Sequence, residues 1–223
     1  MALRTGPAGR VITLEARMHT AALTDDLELV TDIMTDAFSG PDPVVSWMIP
    51  QDIPRRERYV RGFMRTWIEF MLDHDGFALV TSDHCGAMVA EPANPVTAAE
   101  LERFHTAIGD ATGPAAARCL DLIRLLDARY PQDLPPHLHV ALAGVRPAAQ
   151  GKGGVFALTE EIVRYCVEAR REIYCEASSK RNSALWQRLA GLKPLGDDIV
   201  IPETEVALYP LFSRLPFDAK QPE

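Results

Sequence analysis

An apolar strand that runs straight into a glycine-rich turn, between residues 137 and 155, constrains the fold of this chain more than any other feature. The segment reads HLHVALAGVRPAAQGKGGV. Gly151, Gly153 and Gly154 let the backbone approach a ligand closely, and the free amides of a following helix favour an anion. Lys152 adds a positive charge. The segment predicts a strand, a turn and a helix. The turn either binds a phosphate or only joins the strand to the helix.

Two common phosphate-binding loops do not fit these residues. A Walker loop requires Ser or Thr after its lysine, but Lys152 is followed by Gly153. A dinucleotide-binding G-x-G-x-x-G requires glycine three residues after its second glycine, and the residue three after Gly153 is Phe156. The turn therefore belongs to neither class.

The same turn resembles the acyl-CoA loop of the GNAT acetyltransferase superfamily. In that family Q/R-x-x-G-x-G/A follows a strand that ends in V-x-P. Val145, Pro147, Gln150 and Gly153 match, and Val155 stands where the pattern has Gly or Ala. This resemblance identifies the anion at the turn as the pyrophosphate of acyl-CoA.

A second segment, CEASSKRNSALWQRLAGL at 175–192, resembles the strand and short helix with Asn-x-x-x-Tyr that follow in GNAT proteins. Asn182 matches, and Trp186 occupies the tyrosine position. Three further runs are similar to the branch around puromycin N-acetyltransferase: HLH at 137–139, EASSKRN at 176–182 and DPVVSWMIP at 42–50.

The resemblance implies an α/β chain with the GNAT fold: a mixed central sheet of about six to seven strands flanked by helices, whose splayed central strands hold acyl-CoA. The donor would be acetyl-CoA, bound as a substrate, and no metal is expected. The residues that the resemblance places against acyl-CoA are Ala143, Gly144, Val145, Gln150, Gly151, Lys152, Gly153, Gly154, Val155, Asn182 and Trp186.

The implied reaction is direct transfer of an acetyl group to an amine, which requires a base for the ammonium proton and stabilisation of the developing oxyanion. Four residues on or at the ends of predicted strands are candidates for the base: His139, His137, Glu176 and Glu91. His has the most suitable pKa, and the two histidines alternate onto one strand face. Tryptophan is not a usable acid, so Trp186 leaves the thiolate without the family's acid.

Composition indicates the class of protein. With 223 residues, 47% of them hydrophobic, the chain is expected to form a single GNAT domain over 1–223. The net charge of −8 argues against nucleic acid as a partner, and the cluster of arginines between 55 and 65 is interpreted as a solvated helix face. No apolar segment has the length of a membrane span, so we expect a cytoplasmic protein. The resemblance implies a small-molecule amine as the substrate, and we expect a monomer or homodimer. The four cysteines are expected to be reduced.

The hydrophobic pattern predicts the order of elements. Residues 1–10 are expected to be loose, Thr24 is predicted to cap the first helix, and Pro210 to mark an edge or bulge of the last strand. The predicted elements are a strand at 11–16, helices at 24–38 and 54–73, a hairpin at 77–91, an insertion-like helical region at 97–130, a strand at 137–145, a helix at 153–171, a strand at 173–177, a helix at 183–190 and a strand at 205–213.

Three functions fit these observations. The first is an N-acetyltransferase that uses acetyl-CoA on a small amine. The second is a GNAT-fold protein with a different acyl-CoA or thioester chemistry, and the third is a non-catalytic CoA-binding regulator.

Overall fold

The computed structural model describes residues 19–215 of the chain. The strand predicted at 11–16 and the loose residues 1–10 lie outside the described residues. Within that range the chain forms eight strands and seven α-helices. In chain order these are β1 (Ala21–Thr24), α1 (Leu27–Phe38), α2 (Pro43–Met48), α3 (Arg56–Asp73), β2 (Phe77–Thr81), β3 (Gly86–Pro92), α4 (Ala98–Thr112), α5 (Ala116–Arg129), β4 (His137–Val145), α6 (Gly154–Ala169), β5 (Glu172–Ala177), α7 (Lys180–Ala190), β6 (Lys193–Pro194), β7 (Ile199–Val200) and β8 (Ala207–Phe212).

All eight strands join one mixed sheet. Its order is β1-β2-β3-β4-β5-β8-β6, and β7 pairs with β8 beside this path. Only β4 and β5 are parallel among the described strand pairs, and α6 connects them as the predicted crossover. The α/β fold class is confirmed, with eight strands rather than the six to seven expected, because two-residue strands β6 and β7 add to the β8 side.

The two central strands separate soon after they meet. The β4–β5 ladder pairs residues 137–139 with 172–174 and then stops, although β4 continues to Val145 and β5 to Ala177. Beyond His139, β4 therefore has no partner on its β5 side within the described chain. This opening leaves backbone groups of β4 available to a ligand.

A β-bulge in β4 lies next to this opening. Ala90 of β3 pairs with Val140 and Val89 pairs with Leu142, so Ala141 is the extra residue of β4. The bulge reverses the alternation of side chains. Val140 packs in the apolar cluster under α6, whereas Leu142, two residues on, packs in the cluster under α1 and α3. The sheet is thus covered by apolar layers on both faces.

Several helix boundaries differ from the sequence prediction for local reasons. Asp26, not Thr24, caps α1, because its carboxylate accepts the Leu29 amide at 2.9 Å. Helix α2 was not predicted; it begins with the N-cap Asp42 followed by Pro43, a favourable pair for a helix start. Helix α7 begins at Lys180 rather than 183, since Ser179 provides its cap.

Two further predictions are corrected by packing. Pro210 is not in an edge strand: β8 lies between β5 and β6, and Pro210 stands opposite Glu176. The arginines near the start of α3 do not all form a solvated face. Arg56 is buried and donates to the carbonyls of Ile49 and Ser39, so it fixes the chain around α2. The hairpin at 77–91, the helical pair within 97–130 and the strand at 137–145 are confirmed.

Helix α1 packs directly on the open part of β4 at Gly144. A Cβ atom added there would lie 2.7 Å from Cβ of Ala37 and 3.2 Å from Sδ of Met34. We therefore expect Gly144→Ala to destabilise the protein by about 1–3 kcal/mol, as overpacked sites do. Gly109 lies in α4 with no atom within 4 Å of such a Cβ, so Gly109→Ala is the matched control and is expected to raise stability by up to ~1 kcal/mol. Urea unfolding of the two variants measures the difference; equal stabilities would contradict the packing.

Candidate active site

A histidine and two glutamates meet on one face of the sheet where β4 and β5 begin to separate. Nε2 of His139 donates to Oε2 of Glu176 across 2.8 Å, and its Nδ1 lies 3.6 Å from Oε1 of Glu91. The sheet register explains the cluster: Glu91 pairs with His139 across β3 and β4, and Glu176 follows two residues after Tyr174, the partner of His139. Three of the four candidates for the base are therefore brought together.

This cluster is nearly closed to solvent, which strengthens the electrostatic interactions between its charged groups. The exposed fraction of the side chain is 12% for His139, 5% for Glu176 and 21% for Glu91. Burial alone would lower the pKa of His139, but the charge and hydrogen bond of Glu176, aided by Glu91, raise it above its ordinary value. Burial raises the pKa of Glu176, but the charge of His139 outweighs it and the pKa falls. At neutral pH the pair is an imidazolium and a carboxylate.

The carboxylate of Glu176 also interacts with the hydroxyl of Tyr174. Neither the buried Oε1 atom of Glu176 nor this hydroxyl has a partner in good hydrogen-bonding geometry among the described residues. The hydroxyl nevertheless acts on the carboxylate as a hydrogen-bond donor and helps to lower its pKa. Glu176 is therefore held by His139 on one side and by Tyr174 on the other.

His137 lies on the same face but is held in a structural network. Its Nδ1 donates to the carbonyl of Pro135 at 2.8 Å, which leaves Nε2 to accept the hydroxyl of Tyr130 at 2.7 Å. Burial lowers its pKa, so the ring is neutral. The same Tyr130 ring packs edge-on against His139, with centroids 5.5 Å apart. Tyr130 at the end of α5 thus covers both histidines.

The glycine-rich turn lies at the other end of β4. Gly151 and Gly153 have φ angles of 79° and 99°, which residues with a Cβ atom rarely adopt. Helix α6 starts at Gly154, and the amides of Gly153, Gly154 and Val155 donate to no acceptor within the described chain. Together with the positive end of the α6 dipole, these amides make the turn a candidate anion site. Val155 stands where the family pattern has Gly or Ala, but its backbone amide is still available in the first turn of α6.

The segment between β4 and this turn is braced by side chains. Gln150 donates to the carbonyl of Val145 at 3.3 Å, so its side chain orders the turn. Arg146 forms an ion pair with Asp36 of α1 and donates to the carbonyl of His84. Ala143 is half-buried on the open stretch of β4, and Lys152 is exposed beside the turn.

A chain of hydrogen bonds that the sequence does not reveal closes the other side of the opening. Ser178, just after β5, donates to Asp42 at 2.6 Å and accepts from the side-chain amide of Asn182 at 3.2 Å. Asp42 also accepts the amides of Val44 and Val45, which begin α2. The sequence Asp42-Pro43 is a recognisable signal for the N-cap of α2. The contact between Asp42 and Ser178 is not, because these residues are 136 positions apart in the chain.

Trp186 lies in the apolar core rather than in the opening. It is 9% exposed and belongs to the cluster that contains Leu192 and Leu211. Because its ring is packed in this cluster and an indole is not a usable acid, Trp186 does not replace the acid that a tyrosine supplies in the resembled family.

Neither a metal-binding cluster nor a helix suited to span a membrane occurs among the described residues. Residues 19–215 contain no group of three His, Cys, Asp or Glu side chains placed to hold a metal ion. In the same range no helix combines the length and apolar character that a membrane span requires. The four cysteines are free thiols, three of them buried.

Solved structures with a similar fold include proteins described as acetyltransferases. A Corynebacterium glutamicum protein described as histone acetyltransferase HPA2 and related acetyltransferase aligns at TM-score 0.59 and 21% identity, over 87% of this chain and 94% of that one. Arylalkylamine N-acetyltransferase 2 from Aedes aegypti aligns at 0.62 and 11%, over 88% and 98%. The polyamine N-acetyltransferase of Drosophila melanogaster aligns at 0.57 and 16%, over 88% and 100%.

No protein-family model and no curated protein matches the sequence. The similarity to solved structures therefore concerns the fold. It covers 87% of this chain for the Corynebacterium glutamicum protein, and the expected GNAT fold is confirmed.

Proposed function

We propose that this protein is an N-acetyltransferase that transfers the acetyl group of acetyl-CoA directly to a small-molecule amine. One observation supports this most: β4 and β5 separate between an anion-binding turn at one end and the His139–Glu176 pair at the other. The open stretch of β4 from residue 140 to 145 spans about 17 Å at ~3.3 Å per residue. That distance suits the pantetheine arm between a pyrophosphate and a thioester.

The residues that would hold acetyl-CoA can be assigned from this arrangement. The free amides of Gly153, Gly154 and Val155 would bind the pyrophosphate, with Gly151 allowing close approach and Lys152 adding charge. Backbone groups of Ala143 and neighbouring residues would pair with the arm. Asn182, held by Ser178, would orient the arm on the β5 side. Acetyl-CoA, when bound, supplies an activated acetyl thioester.

In this proposal His139 is the base. An arriving ammonium places a positive charge beside Glu91 and Nδ1 of His139, which lowers the pKa of His139. Nδ1 then releases its proton to solvent past Glu91, and the same nitrogen accepts a proton from the ammonium, because Nε2 stays bonded to Glu176. The nitrogen–carbon bond forms, the carbon–sulfur bond breaks, and the second amine proton goes to the leaving sulfur. The products are the amide, the thiol and one proton.

His137 has no free ring nitrogen, so we assign it a positioning role. Through Tyr130 it fixes the aromatic ring that covers His139. No side-chain acid is needed for the leaving thiolate, because a thiol with a pKa near 8.5 leaves more readily than an alkoxide. Most of the rate enhancement would come from holding both reactants in one cleft.

The test is release of free thiol from acetyl-CoA with a panel of amines, with mass spectrometry of the acetylated product. Amine-dependent release is the expected result. Thiol release without any amine would favour a different thioester chemistry, and tight binding of acetyl-CoA without release would favour a CoA-binding regulator.

The pKa of His139 gives a prediction about pH. Since only neutral His139 accepts a proton, kcat/KM should rise with pH until this group is deprotonated. Glu176→Gln removes the charge that raises the pKa, so the rising limb should move to lower pH by about 1–2 units. The pH profile of kcat/KM measures the shift, with Glu205→Gln, an exposed glutamate beyond β7, as the control. An unmoved limb would mean that another group is the base.

A further inference from the structure

Residues 38–42 connect the two sides of the opening at its wide end, where β4 and β5 finish. Phe38, the last residue of α1, lies against the end of β4, with its Cε2 atom 3.4 Å from a Cβ atom built at Gly144. Four residues later, Asp42 accepts the hydroxyl of Ser178, directly after β5. The start of α2 is therefore attached to the β5 side of the opening through Asp42.

The two carboxylate oxygens of Asp42 have separate partners. Oδ1 accepts the amides of Val44 and Val45, each at 3.0 Å, and these two bonds cap α2. Oδ2 accepts the hydroxyl of Ser178 at 2.6 Å. The helix cap thus uses one oxygen, and the other oxygen is available to orient Ser178.

The chemistry of these groups fixes the direction of the hydrogen bonds from Asp42 onward. An ionised carboxylate can only accept, so Ser178 donates its single hydroxyl proton to Oδ2. The Ser178 oxygen can then only accept, and Nδ2 of Asn182 donates to it at 3.2 Å. Oδ1 of Asn182 consequently faces away from Ser178, and none of residues 19–215 donates to it. A ligand atom that binds at Oδ1 must be a hydrogen-bond donor.

We infer that Asp42 and Ser178 are positioning residues for acetyl-CoA, because together they turn the carbonyl of Asn182 towards the pantetheine arm. This inference rests on the proposed function, in which Asn182 orients that arm. The arm contains two amides, and the N–H of either amide is a suitable donor to Oδ1. Binding of the arm through an N–H therefore depends on the residue that caps α2.

The substitution Asp42→Asn reverses the direction of these hydrogen bonds and keeps the helix cap. Its Oδ1 can still accept the amides of Val44 and Val45, while Nδ2 takes the place of Oδ2 and donates to Ser178. Ser178 then donates to Asn182, whose amide turns over and presents its NH2 group to the arm. Two donors then face each other, so the Kd of acetyl-CoA should rise about 10-fold, as expected when a buried polar group loses its partner. Isothermal titration calorimetry measures this change.

Two controls separate positioning from an effect on folding. Asp26→Asn makes the same chemical change at the cap of α1, where Asp26 accepts the Leu29 amide, and should leave the Kd unaltered. In the background of Asn182→Ala, Asp42→Asn should change the Kd by less than about 2-fold, because the amide through which it acts is absent. Urea unfolding should show that Asp42→Asn remains folded, since Asn and Asp are equally good helix caps.

Two analogues of acetyl-CoA test the ligand side of the same contact. In each analogue one amide of the arm is replaced by an ester, which has no N–H. One of the two should bind the unmodified protein about 5- to 10-fold more weakly than acetyl-CoA, the size of one hydrogen bond, and this difference should disappear in Asn182→Ala.

The outcomes separate this inference from the proposed function. An unchanged Kd in Asp42→Asn would overturn the inference, and so would equal binding of acetyl-CoA and both esters. An equal rise in Kd with and without the Asn182 side chain would also overturn it, because Asp42 would then act through the fold of α2. Failure of the unmodified protein to bind acetyl-CoA would instead contradict the proposed function.

Discussion

Replacement of His139 by Ala is expected to lower kcat by about 100- to 10,000-fold, the usual contribution of a well-placed general base, while the Kd of acetyl-CoA changes little. The reason is geometric. His139 lies where β4 and β5 part, in contact with Glu176 and Glu91, whereas the anion site is at the far end of β4. Steady-state thiol release and calorimetric titration with acetyl-CoA measure the two effects separately.

A second variant distinguishes loss of the base from loss of the folded structure. His139→Ala leaves Glu176 buried without its partner, which can cost several kcal/mol of stability. The double variant H139Q/E176Q keeps a neutral hydrogen-bonded pair of similar size and should fold, bind acetyl-CoA and remain inactive. His137→Gln provides the contrast: it should mainly reduce stability, because His137 bonds Tyr130 and Pro135. If H139Q/E176Q retained kcat within tenfold of the unmodified protein, His139 would not be the base.

Gly153→Glu should weaken acetyl-CoA binding by at least about 100-fold. The substitution puts a carboxylate among the amides that are assigned to the pyrophosphate, and like charges at close range cost several kcal/mol. The backbone contributes as well, since Gly153 has φ 99° at the N-cap of α6. Titration of the folded variant, verified by circular dichroism, measures the loss.

The matched control is Gly196→Glu. Gly196 also has a positive φ, is exposed and has open space around it, and it lies between β6 and β7, outside the turn before α6. The same change of charge at this second positive-φ glycine should leave the affinity for acetyl-CoA unaltered. Equal losses in both variants would indicate a general effect of charge or folding, and full affinity of Gly153→Glu would place the pyrophosphate elsewhere.

The central part of the fold was predictable because its signals are local. The apolar run before Gly151, the glycines themselves and the amphipathic helix after them determine β4, the turn and α6 through neighbouring residues alone. The resemblance at 175–192 then added β5 and α7. The sequence also named four candidates for the base, His139, His137, Glu176 and Glu91, and all four lie on strands of the structure. Which of them acts as the base stays a prediction.

What the sequence could not show depends on residues far apart in the chain. The pairing of His139 with Glu176 requires the parallel register of β4 and β5, and the bond between Asp42 and Ser178 requires α2 to close over the end of β5. The position of the Tyr130 ring against His139 depends on where α5 ends relative to the sheet. Trp186 could be identified as a departure from the family pattern, but only its packing shows that it belongs to the core.

Isothermal titration calorimetry tests directly whether the opening between β4 and β5 binds acetyl-CoA, as we propose. The purified protein is titrated with acetyl-CoA and, separately, with ATP and NAD, which present phosphates without a pantetheine arm. We expect micromolar binding of acetyl-CoA and no binding of ATP or NAD at the same concentrations. Failure to bind acetyl-CoA, or equal affinity for ATP, would contradict it.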